Sequence, residues 1–140
     1  MLTPTTSVCQ VTDPTFIVLN RFRTQSPDFP ASARTAIAAL AVCPGFVDAH
    51  LGQSTDEADL RTITTRWVSV GAYRRALSNF EVKMTAIPLL STAIDEPSAY
   101  EVVHYRSPEG FVDAVTGLAL DAGSIGLGEA AGPDIAAVDA

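Results

Sequence analysis

The sequence predicts an α+β domain with elements in the order β-α-β-β-α-β, an antiparallel sheet with its helices on one side. Three observations carry that prediction. Residues 15–24 (T-F-I-V-L-N-R-F-R-T) are β-branched and aromatic, the mark of a half-buried strand. Residues 31–42 place Ala33, Ala36, Ile37, Leu40 and Ala41 at helical spacing, and Cys43-Pro44-Gly45 stops them. Two further strand patterns, residues 46–53 and 60–68, are separated only by the polar turn 54–59, which suits an antiparallel hairpin.

Each element has a local reason. In the first strand Phe16, Val18, Asn20 and Phe22 share one face, and Ile17, Leu19, Arg21 and Arg23 share the other. Ser26-Pro27-Asp28-Phe29-Pro30 is a turn-and-cap cluster ahead of the first helix. That helix ends because proline cannot continue it and glycine tolerates the conformation just past a helix end. The third strand runs into Arg66-Trp67-Val68-Ser69-Val70-Gly71-Ala72-Tyr73. There Ser69 is expected to cap a helix over residues 69–79 by accepting an unpaired N–H of its first turn. Residues 80–93 form a further helical segment, bent or interrupted before Pro88, with Val82, Met84, Ile87, Leu89 and Leu90 apolar. Asp95-Glu96-Pro97 breaks it, and residues 99–105 alternate as a fourth strand. This is the ferredoxin-like split arrangement. Residues 1–14 read as a flexible lead, 15–105 as the domain, and 106–140 as an acidic Gly- and Ala-rich tail. In that tail a short amphipathic helix is expected over 111–120 and a flexible, solvated end beyond it.

With 47% hydrophobic and 18% charged residues in 140, the chain has enough apolar material for one core. The net charge of −7 is unevenly placed: every Lys and Arg lies at or before Arg106, and only acids follow. Phosphate binding needs clustered cations, so nucleic acid and anionic membrane are not expected as partners. No apolar run reaches transmembrane length, and residues 1–13 lack the basic and apolar regions of a signal peptide. Cys9 and Cys43 are too few for a disulfide framework and stand in no metal-ligand spacing. A reducing cytoplasm is the expected location.

Four side chains are candidates for chemistry. Asn20 is an amide in an apolar row, and burying it unpaired would cost about 1–3 kcal/mol, so it needs a backbone, subunit or ligand partner. Trp67, the single tryptophan, and Tyr73, six residues on, can face one space between sheet and helix. They build either a core or a pocket. Tyr73 carries a phenol that can donate to a developing enolate or phenolate oxygen. His50 is expected on the face of Phe46, Asp48 and Gly52, with a pKa near the physiological range that suits a base. Neither His50 nor His104 belongs to a metal-ligand cluster, so no metal is expected.

F-I-V-L-N-R-F in the first strand, the P-G-F after the first helix, the S-T-D turn and T-T-R-W-V-S-V-G-A-Y-R-R-A-L occur in an order and spacing that resemble the antibiotic biosynthesis monooxygenase superfamily. The resemblance covers residues 15–105. It implies a dimeric α+β barrel of two ferredoxin-like units joined through their sheets, each with a cavity between sheet and helices. Members include monooxygenases of polyketide pathways that oxidise electron-rich phenols to quinones with O2 and neither metal nor flavin. In those enzymes a strand-end Trp and a Tyr six residues later line the cavity, and Trp67 and Tyr73 match them. Their Asn four residues before the Trp corresponds to Ile63 here. Their His ahead of the S-T-D-like turn corresponds to Gly52, with His50 two residues earlier. Haem-degrading members share the N-R pair at Asn20-Arg21, while their haem-ruffling Trp and proximal His fall at Ala76 and Ala86.

The expectation is therefore a cofactor-independent monooxygenase that takes a small aromatic or polyketide-like phenol and O2. Asn20, Trp67 and Tyr73 would position the substrate and stabilise an oxyanion, with His50 as base. A sheet covered by helices on one side leaves its other face open, which also favours a homodimer. The alternative is a non-catalytic dimeric protein that binds an apolar ligand or haem, to which Ile63 and Ala86 lend weight.

Overall fold

The β-branched and aromatic segment lies inside the sheet. In the computed structural model, which describes residues 15–114, it is β1 (Phe16–Arg23). There follow α1 (Phe29–Ala41), β2 (Phe46–Gln53), β3 (Leu60–Trp67), α2 (Val70–Leu77), α3 (Phe80–Thr85), α4 (Ile87–Leu90) and β4 (Ala99–Glu101). The sheet order is β2-β3-β1-β4 with every neighbouring pair antiparallel. This is the expected α+β split arrangement.

Local chemistry places the helices. Ser69 caps α2 by accepting from the Ala72 N–H at 3.0 Å, and Asn79 caps α3 by accepting from Val82 N–H at 3.0 Å. The helical run breaks at Ala86, and Pro88 opens the short α4, because proline has no N–H for the preceding turn. After α1, Gly45 adopts φ +90°, and a Cβ there would lie 2.4 Å from Ala72 Cβ. Only glycine lets the chain pass so close to α2.

One side of the sheet faces the helices. Phe16, Val18 and Trp67 pack there with Ala36, Leu40, Ala72, Ala76 and Val82. Farther along, Phe22 and Ile63 pack with Phe29 and Ala33 of α1. Leu89 and Leu90 touch both clusters. Among the described residues no helix is long and apolar enough to cross a membrane.

Three expectations change. The alternation over 99–105 does not form one strand: β4 ends at Glu101, opposite Phe16 at the start of β1, and one last backbone bond, from Val102 N–H to Thr15 O at 3.0 Å, closes the pairing. Residues 104–113 form a hairpin of their own, β5 (His104–Ser107) and β6 (Gly110–Asp113), so the helix expected from residue 111 is strand as far as 113. Gly110, at φ +151°, sits where the turn closes, and Phe111 and Val112 favour the extended chain. Within the hairpin His104 Nδ1 meets Asp113 Oδ1 at 2.5 Å, and Phe111 lies under Arg106 at 4.6 Å. The third change is in β2, where a bulge between Phe46 and Asp48 shifts the register. Phe46 pairs with Trp67 on the helix side, while Asp48, His50 and Gly52 oppose Arg66, Thr64 and Thr62 on the other side. Phe46 and His50 therefore do not share a face. The lead over 1–14 and the tail beyond 114 lie outside the described residues.

Candidate functional site

The aromatic end of the helix side is built by β3 running into α2. Trp67 closes β3 opposite Phe16 and Phe46. Its indole is 0% exposed, packs edge-on against Phe46 with ring centres 5.3 Å apart, and lies 5.5 Å from Tyr73. Indole Nε1 donates to Thr65 Oγ1 at 2.7 Å. Trp67 is thus a satisfied core residue.

The Ser69 cap starts α2 directly after the strand and folds Tyr73 back over it. The Tyr73 ring lies 5.5 Å from Phe16 and is half-buried. Its hydroxyl has no hydrogen-bond partner among the described residues. Burial pushes the phenol pKa above its ordinary value, so Tyr73 keeps its proton at neutral pH and is a neutral donor.

Asn20 stands in the middle of β1 opposite Ile63, half-buried, with no side-chain partner among the described residues. It is four residues from Phe16, about 13 Å along the strand, so it shares a face with Trp67 and Tyr73 without touching them. Thr65 lies between them, opposite Val18 and Ala49. Sequence reading passed over Thr65. The signal was Thr65-x-Trp67, an i, i+2 pair that a strand puts on one face.

His50 is not brought to this site. It is exposed on the opposite face, and the sheet separates it from Asn20, Trp67 and Tyr73. Its neighbours there are structural. Arg66 grips Asp48 through Nε at 2.7 Å and through Nη2, and Arg21 grips Glu96 at 2.8 Å through two nitrogens. The Arg66 hydrogen bond holds the Asp48 carboxyl below the usual carboxylate range, and Arg21 does the same for Glu96.

At the far end of β1 a cleft of about 330 Å³ opens between β1, the start of α1 and the residues around α4. Phe22, Phe29 and Leu89 supply its apolar surface, and Ser26, Asp28 and Ser32 its polar edge. Asn20 lies two residues before Phe22 on the same face, and Leu89 packs against both core clusters. The cleft, Asn20 and Tyr73 thus follow one another along the helix side. Among the described residues no three His, Cys, Asp or Glu side chains gather into a metal-holding group.

Solved structures share this fold. SnoaB, a cofactor-independent oxygenase from Streptomyces nogalater, superposes with a TM-score of 0.56 at 23% identity, over 64% of this chain and 94% of that one. A Chloroflexus aurantiacus protein named for the antibiotic biosynthesis monooxygenases gives a TM-score of 0.54 at 19% identity, over 66% of this chain and 97% of that one. One from Bordetella bronchiseptica, named likewise, gives 0.51 at 15% identity, over 65% and 99%. No protein-family model and no curated protein matches the sequence. The fold is that of the antibiotic biosynthesis monooxygenases.

Proposed function

We propose that the chain is a cofactor-independent monooxygenase that oxidises an aromatic or polyketide-like phenol with O2 to a quinone. The observation that carries this reading is Tyr73, whose half-buried, protonated hydroxyl stands unpartnered beside the rings of Phe16 and Trp67. A donor of that kind stabilises the charge that develops when a phenol or its enol tautomer loses a proton. That proton leaves to solvent, the resulting carbanion adds O2 at carbon, the peroxide anion takes up a proton, and the hydroperoxide loses water to leave the new carbonyl. Asn20 supplies a second donor, its side-chain amide, along the same face, which leads to the cleft lined by Phe22 and Phe29. His50 has no part in this reading, because it faces away. The face opposite the helices supports a homodimer, and light scattering giving a monomer at micromolar concentration would remove that part. The buried, free thiol of Cys43 fits a reducing cytoplasm.

Oxygen uptake with anthrones tests the reading. Tyr73→Phe is expected to lower the rate about tenfold or more, the effect of losing one donor to a developing oxyanion. An unchanged rate sinks Tyr73's role. The full enclosure of Trp67 favours a second reading, a non-catalytic binder of an apolar ligand. Tight ligand titration with no uptake for any phenol tested selects it.

A further inference from the structure

We infer that the outer surface of α2 and α3, centred on Phe80 and Met84, docks a short acidic, amphipathic helix of a partner protein. Val82 is the buried residue of α3 and packs in the core. Phe80 and Met84 lie two residues to either side of it, which turns both outward, and at four residues apart they are neighbours on the helix surface. Phe80 is 73% exposed and Met84 59%. A single exposed apolar residue needs no account, but a phenylalanine beside a methionine on one helix makes an anchor of the kind that interfaces bury. Methionine also adapts its shape to what it meets.

The charges around that anchor indicate what covers it. The helices of the layer carry Arg34, Arg74, Arg75 and Lys83 and a single acid, Glu81, in a chain whose net charge is −7. All four cations are exposed, and none has a hydrogen-bond or ion-pair partner among the described residues. The strands differ, since Arg21, Arg23 and Arg66 each hold a carboxylate. Three of the free cations flank the anchor. Lys83 stands beside Met84, and Arg74 and Arg75 occupy the last turn of α2, which only Ser78 and Asn79 separate from Phe80. An apolar centre with a positive rim matches a helix that carries a leucine-type stripe bordered by carboxylates. Two or three turns of such a helix, about 11–16 Å, stay on the layer. A membrane or a nucleic acid extends past it and is repelled by the acids that outnumber cations in the rest of the chain. Tyr73 and Arg74 are successive residues of α2, one packed against Phe16 and the other exposed, so a docked helix leaves the inner face untouched. The docking does not rest on the oxygenase reading.

Two labelled helical peptides with the same leucine stripe, one bordered by glutamates and the other by lysines, test the surface by fluorescence anisotropy. The unaltered chain should bind the glutamate peptide, less tightly as salt is raised, and leave the lysine peptide free. Phe80→Ser should weaken binding about tenfold, the loss of one anchor. Arg74→Glu combined with Lys83→Glu should abolish binding of the glutamate peptide and create binding of the lysine peptide, a gain that misfolding cannot produce. All three altered residues are exposed, so melting should hardly move. Equal binding of the two peptides by the unaltered chain overturns the surface, as does a Phe80→Ser variant that binds as before. A dimer that Phe80→Ser splits, seen by sedimentation in the absence of peptide, assigns the surface to a second copy and overturns the proposal. Adhesion to phosphatidylglycerol vesicles with no peptide binding assigns it to a membrane and overturns it equally. Peptide binding without oxygen uptake keeps the docking surface and removes only the oxygenase reading, and uptake without peptide binding does the opposite.

Discussion

The two faces of the four-stranded sheet treat polar groups in opposite ways. On the face away from the helices the charges come matched: Arg66 with Asp48, Arg21 with Glu96, and Arg23 with Glu57 and Asp59. On the helix face Arg61 lies over the Phe29 ring at 5.8 Å with a buried Nε that has no hydrogen-bond partner among the described residues. The Tyr73 hydroxyl, the Asn20 amide and the Thr65 proton likewise have nothing there to donate to. Paired, partly exposed charges are ordinary on an open sheet face. Spare donors under a layer of helices are not, because the same low-dielectric surroundings that make them costly also make them effective toward a ligand. The proposed function draws on that contrast.

The contrast can be broken most forcefully at its apolar centre. Trp67→Ala should destabilise the fold by about 3–5 kcal/mol in urea unfolding, because it empties a fully enclosed site and strands the Thr65 hydroxyl. A loss under about 1 kcal/mol would show that the helix face is loosely packed and that Trp67 borders a pocket. Gly45→Ala should come next, at about 1–3 kcal/mol, since the added carbon meets Ala72 and φ is +90°. Tyr73→Phe should separate stability from activity. With no partner for its hydroxyl, melting should move little while the oxygenation rate falls, and a large melting loss would mean that the hydroxyl is structural.

The smallest effect belongs to the open face. Asp48 has a lowered folded pKa, so its pairing stabilises the protein above the ordinary carboxylate range and is lost as pH falls through the folded value. Glu96 has the same sign. Asp48→Asn should therefore cost about 0–1 kcal/mol at pH 7 and flatten the decline in stability below about pH 4. Unfolding curves at pH 7 and pH 3 on both proteins check it, and an Asn variant that declines as steeply as the parent would assign the acid sensitivity elsewhere.

Much of the fold was legible in the chain. β2 matches its expected span, β1 and β3 fall within a residue of theirs at each end, and Ser69 caps α2 as expected. The candidate site was legible only in part. Asn20 and Tyr73 stand on the helix face, and Trp67, whose composition suited either core or pocket, is enclosed. His50 was misplaced because alternation counted from Phe46 assumes an unbroken ladder, and one extra residue at the bulge reverses every later side chain. Thr65 was invisible as a donor because threonine in a strand is ordinary until its partner is known. The hairpin at 104–113 was read as strand and then helix, since its short apolar run fits either period.

What the sequence determined by itself was the order of elements, the turns that separate them and the composition of each face. Those depend on residues a few positions apart, through periodicity, caps and breakers. Which side His50 takes, where β4 stops and which proton is left over at Thr65 were decided only by tertiary structure. Each depends on the register between segments separated in sequence, and a shift of one residue in that register moves a side chain through the sheet.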